Sequence, residues 1–314
     1  MNAQPPPPRI FRAAGFGLIL SFLLSALLPA AFAHATWPGR NGAIAFTRDA
    51  HIWVQLPSGV QRQLTSGAAA DAEPTYSRDG RMIAFVRYDG SDADIWVMNS
   101  DGTDQRPVTH TDGPLMSEVQ PAFYSNGRSL VFAQSNLPGG WTVFSIRLDG
   151  SGQQQLATRA KFPTISPAGR QLAFTRHPGG DRIRLKDLRS GEERQLPSGT
   201  SQEPDFSPDG KRLVFVGQRP CGSEQHLRLS VLAIGLNDRH ERTLLSTCHA
   251  PFISYGPVWS PRGNRVLFTR RDNPMKAGDV RLQMLNLRGV LVSGAPRHHA
   301  GTFEGSPSWQ PLQP

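Results

Sequence analysis

One string recurs along this chain at near-regular intervals. It appears as PTYSRDG at Pro74–Gly80, PAFYSNG at Pro121–Gly127 and PTISPAG at Pro163–Gly169, then as PDFSPDG at Pro204–Gly210 and PVWSPRG at Pro257–Gly263. Proline and glycine stay six apart, and a large apolar residue sits two after the proline. A sixth copy starts at Pro307-Ser308-Trp309, and successive prolines are separated by 47, 42, 41, 53 and 50 residues. A period of this size is that of a four-stranded propeller blade.

Each unit continues alike. A β-rich run follows the glycine, as in Met82–Val86, Leu130–Phe132, Leu172–Phe174, Leu213–Val216 and Val266–Thr269. A second run follows, as in Asp94–Met98, Trp141–Phe144, Ile183–Leu185 and Val280–Leu282. Asp-Gly turns such as Asp101-Gly102 and Asp149-Gly150 then lead to a short last strand. Short strands joined by such turns make a meander. The N-terminal stretch Asn41–Thr65 holds the second, third and fourth strands of a unit, and Pro307–Pro311 supplies the missing first one. The expected fold is therefore all-β: a six-bladed β-propeller of four-stranded antiparallel blades. The N- and C-terminal strands share one blade and close the ring, which protects sheet edges.

Residues 1–35 are different in kind. Arg9 and Arg12 precede an apolar run from Ala13 to Leu28, and A-x-A steps follow at Ala31–Ala33 and Ala33–Ala35. That order is the order of a secretory signal. Cleavage is expected after Ala33 or Ala35, leaving residues 36–314 as the propeller; retention as an anchor helix is the other reading. Export implies a periplasmic or secreted protein with no membrane span once the leader is gone.

The whole chain carries a net charge of +9, and loss of the leader's two arginines leaves +7. Such a surface suits anionic envelope polymers or lipid head groups. The arginines are scattered, which fits plain solubility as well. Nucleic acid is not an expected partner in that compartment.

The strings EPTYSRDGRMIAF, ADIWVMNSDGTD and EPDFSPDGKRLVF resemble the repeats of TolB-type propellers, over about residues 40–314. The resemblance implies fold more than activity, because related repeats occur in binding proteins, peptidase side domains and lyases. The α/β domain that precedes the propeller in TolB itself is not expected, since the leader runs almost directly into the first strand.

Several residues are candidates for chemistry. Glu73, Gln120 and Glu203 directly precede the repeat proline, and Glu304 lies close to Pro307; Phe162 and Gly256 fill the same place elsewhere. At the start of innermost strands these carboxylates would ring the pore mouth, where they either bind a divalent cation or accept local hydrogen bonds. His110, His249, His298 and His299 fall in blade-to-blade crossings and are candidate metal ligands, or solvated surface histidines. Cys221 and Cys248 leave the same blade and are expected to form a disulfide after export. Arg182, Arg184 and Lys186 form a basic stripe. Longer loops, at Tyr88–Ala93, Asn136–Gly140, Gln218–His226 and Arg271–Gly278, share one face, where function is expected.

The chain has no G-x-S-x-G, H-E-x-x-H or P-loop string. A non-catalytic, monomeric module that binds a protein or an envelope polymer without an obligatory cofactor is the leading expectation. A metal-dependent lyase or lactonase, or a glycan binder using Trp141 or Tyr88, is the alternative.

Overall fold

The computed structural model describes residues 34–90, 92–110, 116–136, 140–177, 181–221, 224–233, 241–246, 253–272, 280–298 and 304–313. The described residues form strands, turns and bends without a helix, so among them no helix is long and apolar enough to cross a membrane.

The strands follow the repeat. A two-residue strand, β1 (His34–Ala35), comes first, followed by β2 (Arg40–Arg48), β3 (His51–Gln55) and β4 (Gln61–Gln63). The next units are β5 (Ala70–Tyr76), β6 (Met82–Asp89), β7 (Asp92–Asn99) and β8 (Arg106–Pro107), then β9 (Met116–Phe123), β10 (Ser129–Asn136), β11 (Gly140–Arg147) and β12 (Gln154–Thr158). After them come β13 (Ala160–Ile165), β14 (Gln171–Arg176), β15 (Arg182–Asp187) and β16 (Glu193–Gln195), and β17 (Ser201–Phe206), β18 (Arg212–Cys221), β19 (Glu224–Ala233) and β20 (Glu241–Ser246). The chain ends with β21 (Ile253–Trp259), β22 (Arg265–Arg271), β23 (Val280–Asn286) and β24 (Glu304–Leu312).

Within each unit the ladders are antiparallel and sequential. One parallel bridge, Ala93 to Ser117, joins the second and third units into an eight-stranded sheet. The last strand, β24, pairs antiparallel with β2, in the order β24-β2-β3-β4. Residues at opposite ends of the sequence thus share one sheet, as the split repeat predicts.

The repeated glycine closes a tight turn. In five units its N–H donates to a carbonyl three residues back, from Gly80 to Ser77 and in the same way to Tyr124, Ser166, Ser207 and Ser260. Glycine is suited there because φ lies between 63° and 71°, a left-handed conformation that side chains disfavour.

The core has one aromatic per unit at a fixed place in the second strand: Phe46, Phe85, Phe132, Phe174, Phe215 and Phe268 are all fully buried. The first strands add Tyr76, Phe123, Phe206, Trp259 and Trp309, all buried, with Ile165 in the fourth unit. These side chains pack between units. Phe206 sits with Ala173, Ile183 and Leu185 of the preceding unit, and Trp259 with Val214 and Val216. The Arg212 guanidinium lies 4.7 Å from the Trp259 ring centre. Replacing Trp259 by Ala should cost roughly 3–5 kcal/mol, measured as a lowered midpoint in urea unfolding with an unchanged slope.

Two features were not foreseen. The loop expected at Gln218–His226 is instead a hairpin, since β18 and β19 stay paired out to Cys221 and Glu224. The β1 strand pairs in parallel with β17, His34 beside Asp205 and Ala35 beside Phe206. Residues 1–33 and Cys248 lie outside the described residues, as does the side chain of Cys221. The predicted cysteine pairing falls there with them.

Candidate functional site

A proline inside a strand cannot donate to the ladder, so the chain must bulge there. It does so in every first strand where the repeat proline occurs. The register shifts between Ala72 and Thr75, Lys161 and Thr164, Gln202 and Asp205, and Tyr255 and Val258. At each bulge the residue before proline takes a left-handed conformation, with φ of 57° at Glu73, 61° at Gln120, 54° at Phe162, 59° at Glu203, 61° at Gly256 and 54° at Ser306. This runs against the usual preference of pre-proline residues for extended backbone. The proline in the middle of a β-pattern is the sequence signal that would have announced the bulge.

The bulge aims the side chain at the next unit. Glu73 Oε2 accepts from the Gln120 N–H at 2.6 Å, and Gln120 Oε1 accepts from the Phe162 N–H at 2.7 Å. Glu203 Oε2 accepts from the Gly256 N–H at 2.6 Å. The chain of bonds stops at Phe162, which has no acceptor. Burial pushes the carboxyl of Glu73 up to about 8, against the opposing pull of the Gln120 amide. Burial likewise raises Glu203 to about 8, opposed by the Gly256 amide. Glu73 Oε1 is buried and has no hydrogen-bond partner.

Glu304 does not join this set. Ser306 occupies the pre-proline place of the last copy, and Glu304 lies two residues upstream, opposite Arg48. It belongs with Asp71 and Glu118, which stand two residues before Glu73 and Gln120. Each meets the residue two places after the buried phenylalanine of the second strand. Arg48 Nε donates to Glu304 Oε1 at 2.8 Å; Arg87 grips Asp71 with two bonds, at 2.7 and 3.0 Å; Gln134 Nε2 donates to Glu118 Oε1 at 2.6 Å. Arg48 also stacks 4.9 Å from the centre of the Trp53 ring, and Arg87 4.4 Å from that of Trp96. Burial raises Glu304, while Arg48 and His298 pull it back. In the fourth unit Ala160 replaces the acid, and Arg176 turns outward to Glu193 at 2.6 Å.

The histidines are dispersed. His298 Nδ1 lies 3.5 Å from Glu304, and His110 is exposed. His249 and His299 lie outside the described residues. Among the described residues no three His, Cys, Asp or Glu side chains are grouped to hold a metal ion. The basic stripe is partly engaged: Lys186 Nζ donates to the Leu156 carbonyl at 2.7 Å, and Arg184 is 3.5 Å from Glu193. Trp141 is half-buried with Lys161 Nζ 4.6 Å from its ring centre, and Tyr88 is half-buried against the core.

Known proteins share this architecture. Residues 38–183 match the family model described as TolB beta propeller domain. A TolB homolog of Chlorobium chlorochromatii is 30% identical over 146 residues, 45% of this chain and 32% of that protein. An uncharacterized protein of Agrobacterium fabrum is 26% identical over 198 residues, 56% of this chain and 64% of that protein. The matches thus span less than two thirds of these relatives' length. The crystal structure of TolB from Acinetobacter baumannii superposes with a TM-score of 0.71 at 18% identity, covering 93% of this chain and 71% of that one. The family model covers residues 38–183, just under half of the chain, and in repeat and in fold this chain is similar to the TolB-like β-propellers.

Proposed function

We propose that this chain is an exported, six-bladed propeller, closed by β24 on β2, that binds a protein or an envelope polymer through the face where second strands hand over to third. The observation that carries the reading is a contrast between the two ends of the sheets. One end is capped by near-identical glycine turns. The opposite end differs from unit to unit and is rich in charged side chains, among them the Arg87–Asp71 and Arg176–Glu193 pairs and the His177–Asp181 contact at 2.6 Å. A rigid scaffold with one uniform end and one varied end suits recognition. The TolB-like relatives support an envelope location, and the leader-like sequence of residues 1–35 supports export.

The test is capture from an envelope extract by the purified protein and by variants altered at that end, His177→Ala and Arg182→Ala. A specific partner held by the parent and weakened at least about tenfold by a variant supports the reading. A wild-type capture no richer than a bare resin counts against it.

A second reading, a divalent cation at the pore mouth, draws on the partnerless Oε1 of Glu73. Elemental analysis after dialysis against Ca²⁺, Mn²⁺ and Zn²⁺ decides it. One equivalent, lost in Glu73→Gln, would turn the protein toward metal-dependent chemistry.

A further inference from the structure

The most unusual group in the molecule is Asp205. It is fully buried at the end of β17. Its Oδ2 accepts from the Thr36 hydroxyl at 2.7 Å and from the Trp259 N–H at 2.8 Å. Its Oδ1 is buried without a partner. Burial raises the carboxyl to about 8; bonds from the Thr36 hydroxyl and from the Trp259, Thr36 and Phe206 amides oppose this, and no cationic side chain does. A buried carboxylate without a counter-charge is costly.

The partner segment is equally unusual. Thr36 and Trp37 are both buried, Trp37 to within 1% exposure. Trp37 packs in the same cluster as Val86, Val119, Phe132 and Leu172, which come from three different units. The preceding β1 lies against the first strands of four units, β5, β9, β13 and β17. The junction between the leader-like segment and the rest of the chain thus lies among these first strands, with Thr36, the first residue beyond it, bonded to Asp205.

We infer that the leader is removed after Ala35, and that the α-ammonium so created on Thr36 is the missing counter-ion of Asp205. The inference rests on the export reading above. The sequence leaves two cleavage positions open, after Ala33 and after Ala35. The geometry separates them. Cutting the Ala35–Thr36 bond adds water across it: Ala35 leaves as a carboxylate, and the Thr36 nitrogen becomes an amine that takes a proton from solvent. That nitrogen already lies beside Asp205 as an amide. Cleavage after Ala33 would place the new ammonium on His34, which the ladder sets opposite the Asp205 backbone but roughly 7 Å along an extended chain from the Thr36 nitrogen, beyond bonding reach of the carboxyl that the Thr36 groups hold. Processing would then convert a neutral hydrogen bond into an ion pair at a dry site. The mature N-terminus would be locked into the centre of the fold only after the leader had gone.

The experiment uses the full-length chain expressed in an export-competent host, with the N-terminus of the product sequenced. Thr36 as the first residue is the expected result. In the folded protein its α-amine should acylate at least about tenfold more slowly than in the denatured protein, because the ion pair keeps it protonated and covered. Ala35→Leu places a bulky residue at the second cleavage position and diverts cutting to Ala33. Its product should melt about 3–8 °C below the parent. In an Asp205→Asn background that difference should vanish. Should Asp205→Asn fail to fold, the sequencing and the Ala35→Leu comparison still decide. His34 as the first residue, or equal acylation in folded and denatured protein, overturns the inference while leaving export intact. A product that still carries residues 1–33 overturns the export reading, and this inference with it.

Discussion

A chain ending before Glu304 should fail to reach a soluble, cooperatively melting state. The reason lies in what β24 completes. It is the outer partner of β2, so its loss leaves Arg40–Arg48 as an open, largely buried edge strand with nothing to pair to. Open apolar edges recruit other chains. Trp309 leaves its cluster with Ile44, Phe46 and Val258. Arg48, only 4% exposed in the intact fold, loses Glu304, and breaking a buried pair costs about 3–5 kcal/mol. The backbone also loses cross-unit bonds: Ser308 Oγ accepts from the Tyr76 N–H at 3.1 Å, and Gln310 Nε2 donates to the Gly80 carbonyl at 2.9 Å. Domains of this size have only about 5–15 kcal/mol of stability in all. The measurement is a thermal melt by circular dichroism of the full chain and of chains ending at 303 and at 312. The chain ending at 312 should melt like the parent. A cooperative melt of the 303 form near the parent temperature would show that the shared sheet is dispensable.

Stability should fall as pH rises from about 4.5 to about 8, and Glu73→Gln with Glu203→Gln should flatten that fall. Both carboxyls are raised by burial from 4.5 to about 8 in the folded chain. Between those values the folded state keeps protons that the unfolded state has released. Folding therefore weakens with each step upward in pH, by at most about 1.4 kcal/mol per pH unit per group. Above about 8 both states are ionised and the loss is complete. Burial raises Glu118 and Glu304 as well, in the same sense. The opposite sign belongs to Asp101, Asp149 and Asp187, held down by bonds from the Thr103 hydroxyl, the Ser151 hydroxyl and the Ser190 amide. Their contribution is lost as pH drops below the ordinary aspartate range. The substitutions should be tolerated because Gln120 already performs the same task with a neutral amide. At pH 8 the double variant should be more stable than the parent, while at pH 5 the two should nearly coincide. Denaturant midpoints across that range test this; a double variant weaker than the parent at pH 8 would mean that the carboxylates are needed in their charged form.

The strand order, the aromatic ladder and the junction of the two chain ends were legible from the repeat, because a glycine turn and a proline at a fixed offset dictate local backbone wherever they occur. The candidate site was legible only in part. The sequence places Glu73, Gln120 and Glu203 at one repeat position, but distance along a strand does not reveal a bulge. The bulge separates these residues from Glu304, which is one reason that residue faces Arg48 instead. Whether an acid meets an arginine, as Asp71 meets Arg87, depends on the register between neighbouring strands. The role of Thr36 and Trp37 had no local signal at all. Their burial against residues more than a hundred positions away exists only once the units surround them. Local pattern therefore determined the blades, since turns and side-chain alternation act within a few residues. Tertiary structure alone decided which polar groups are buried and what they touch, because desolvation depends on everything packed around a group and not on its neighbours in sequence.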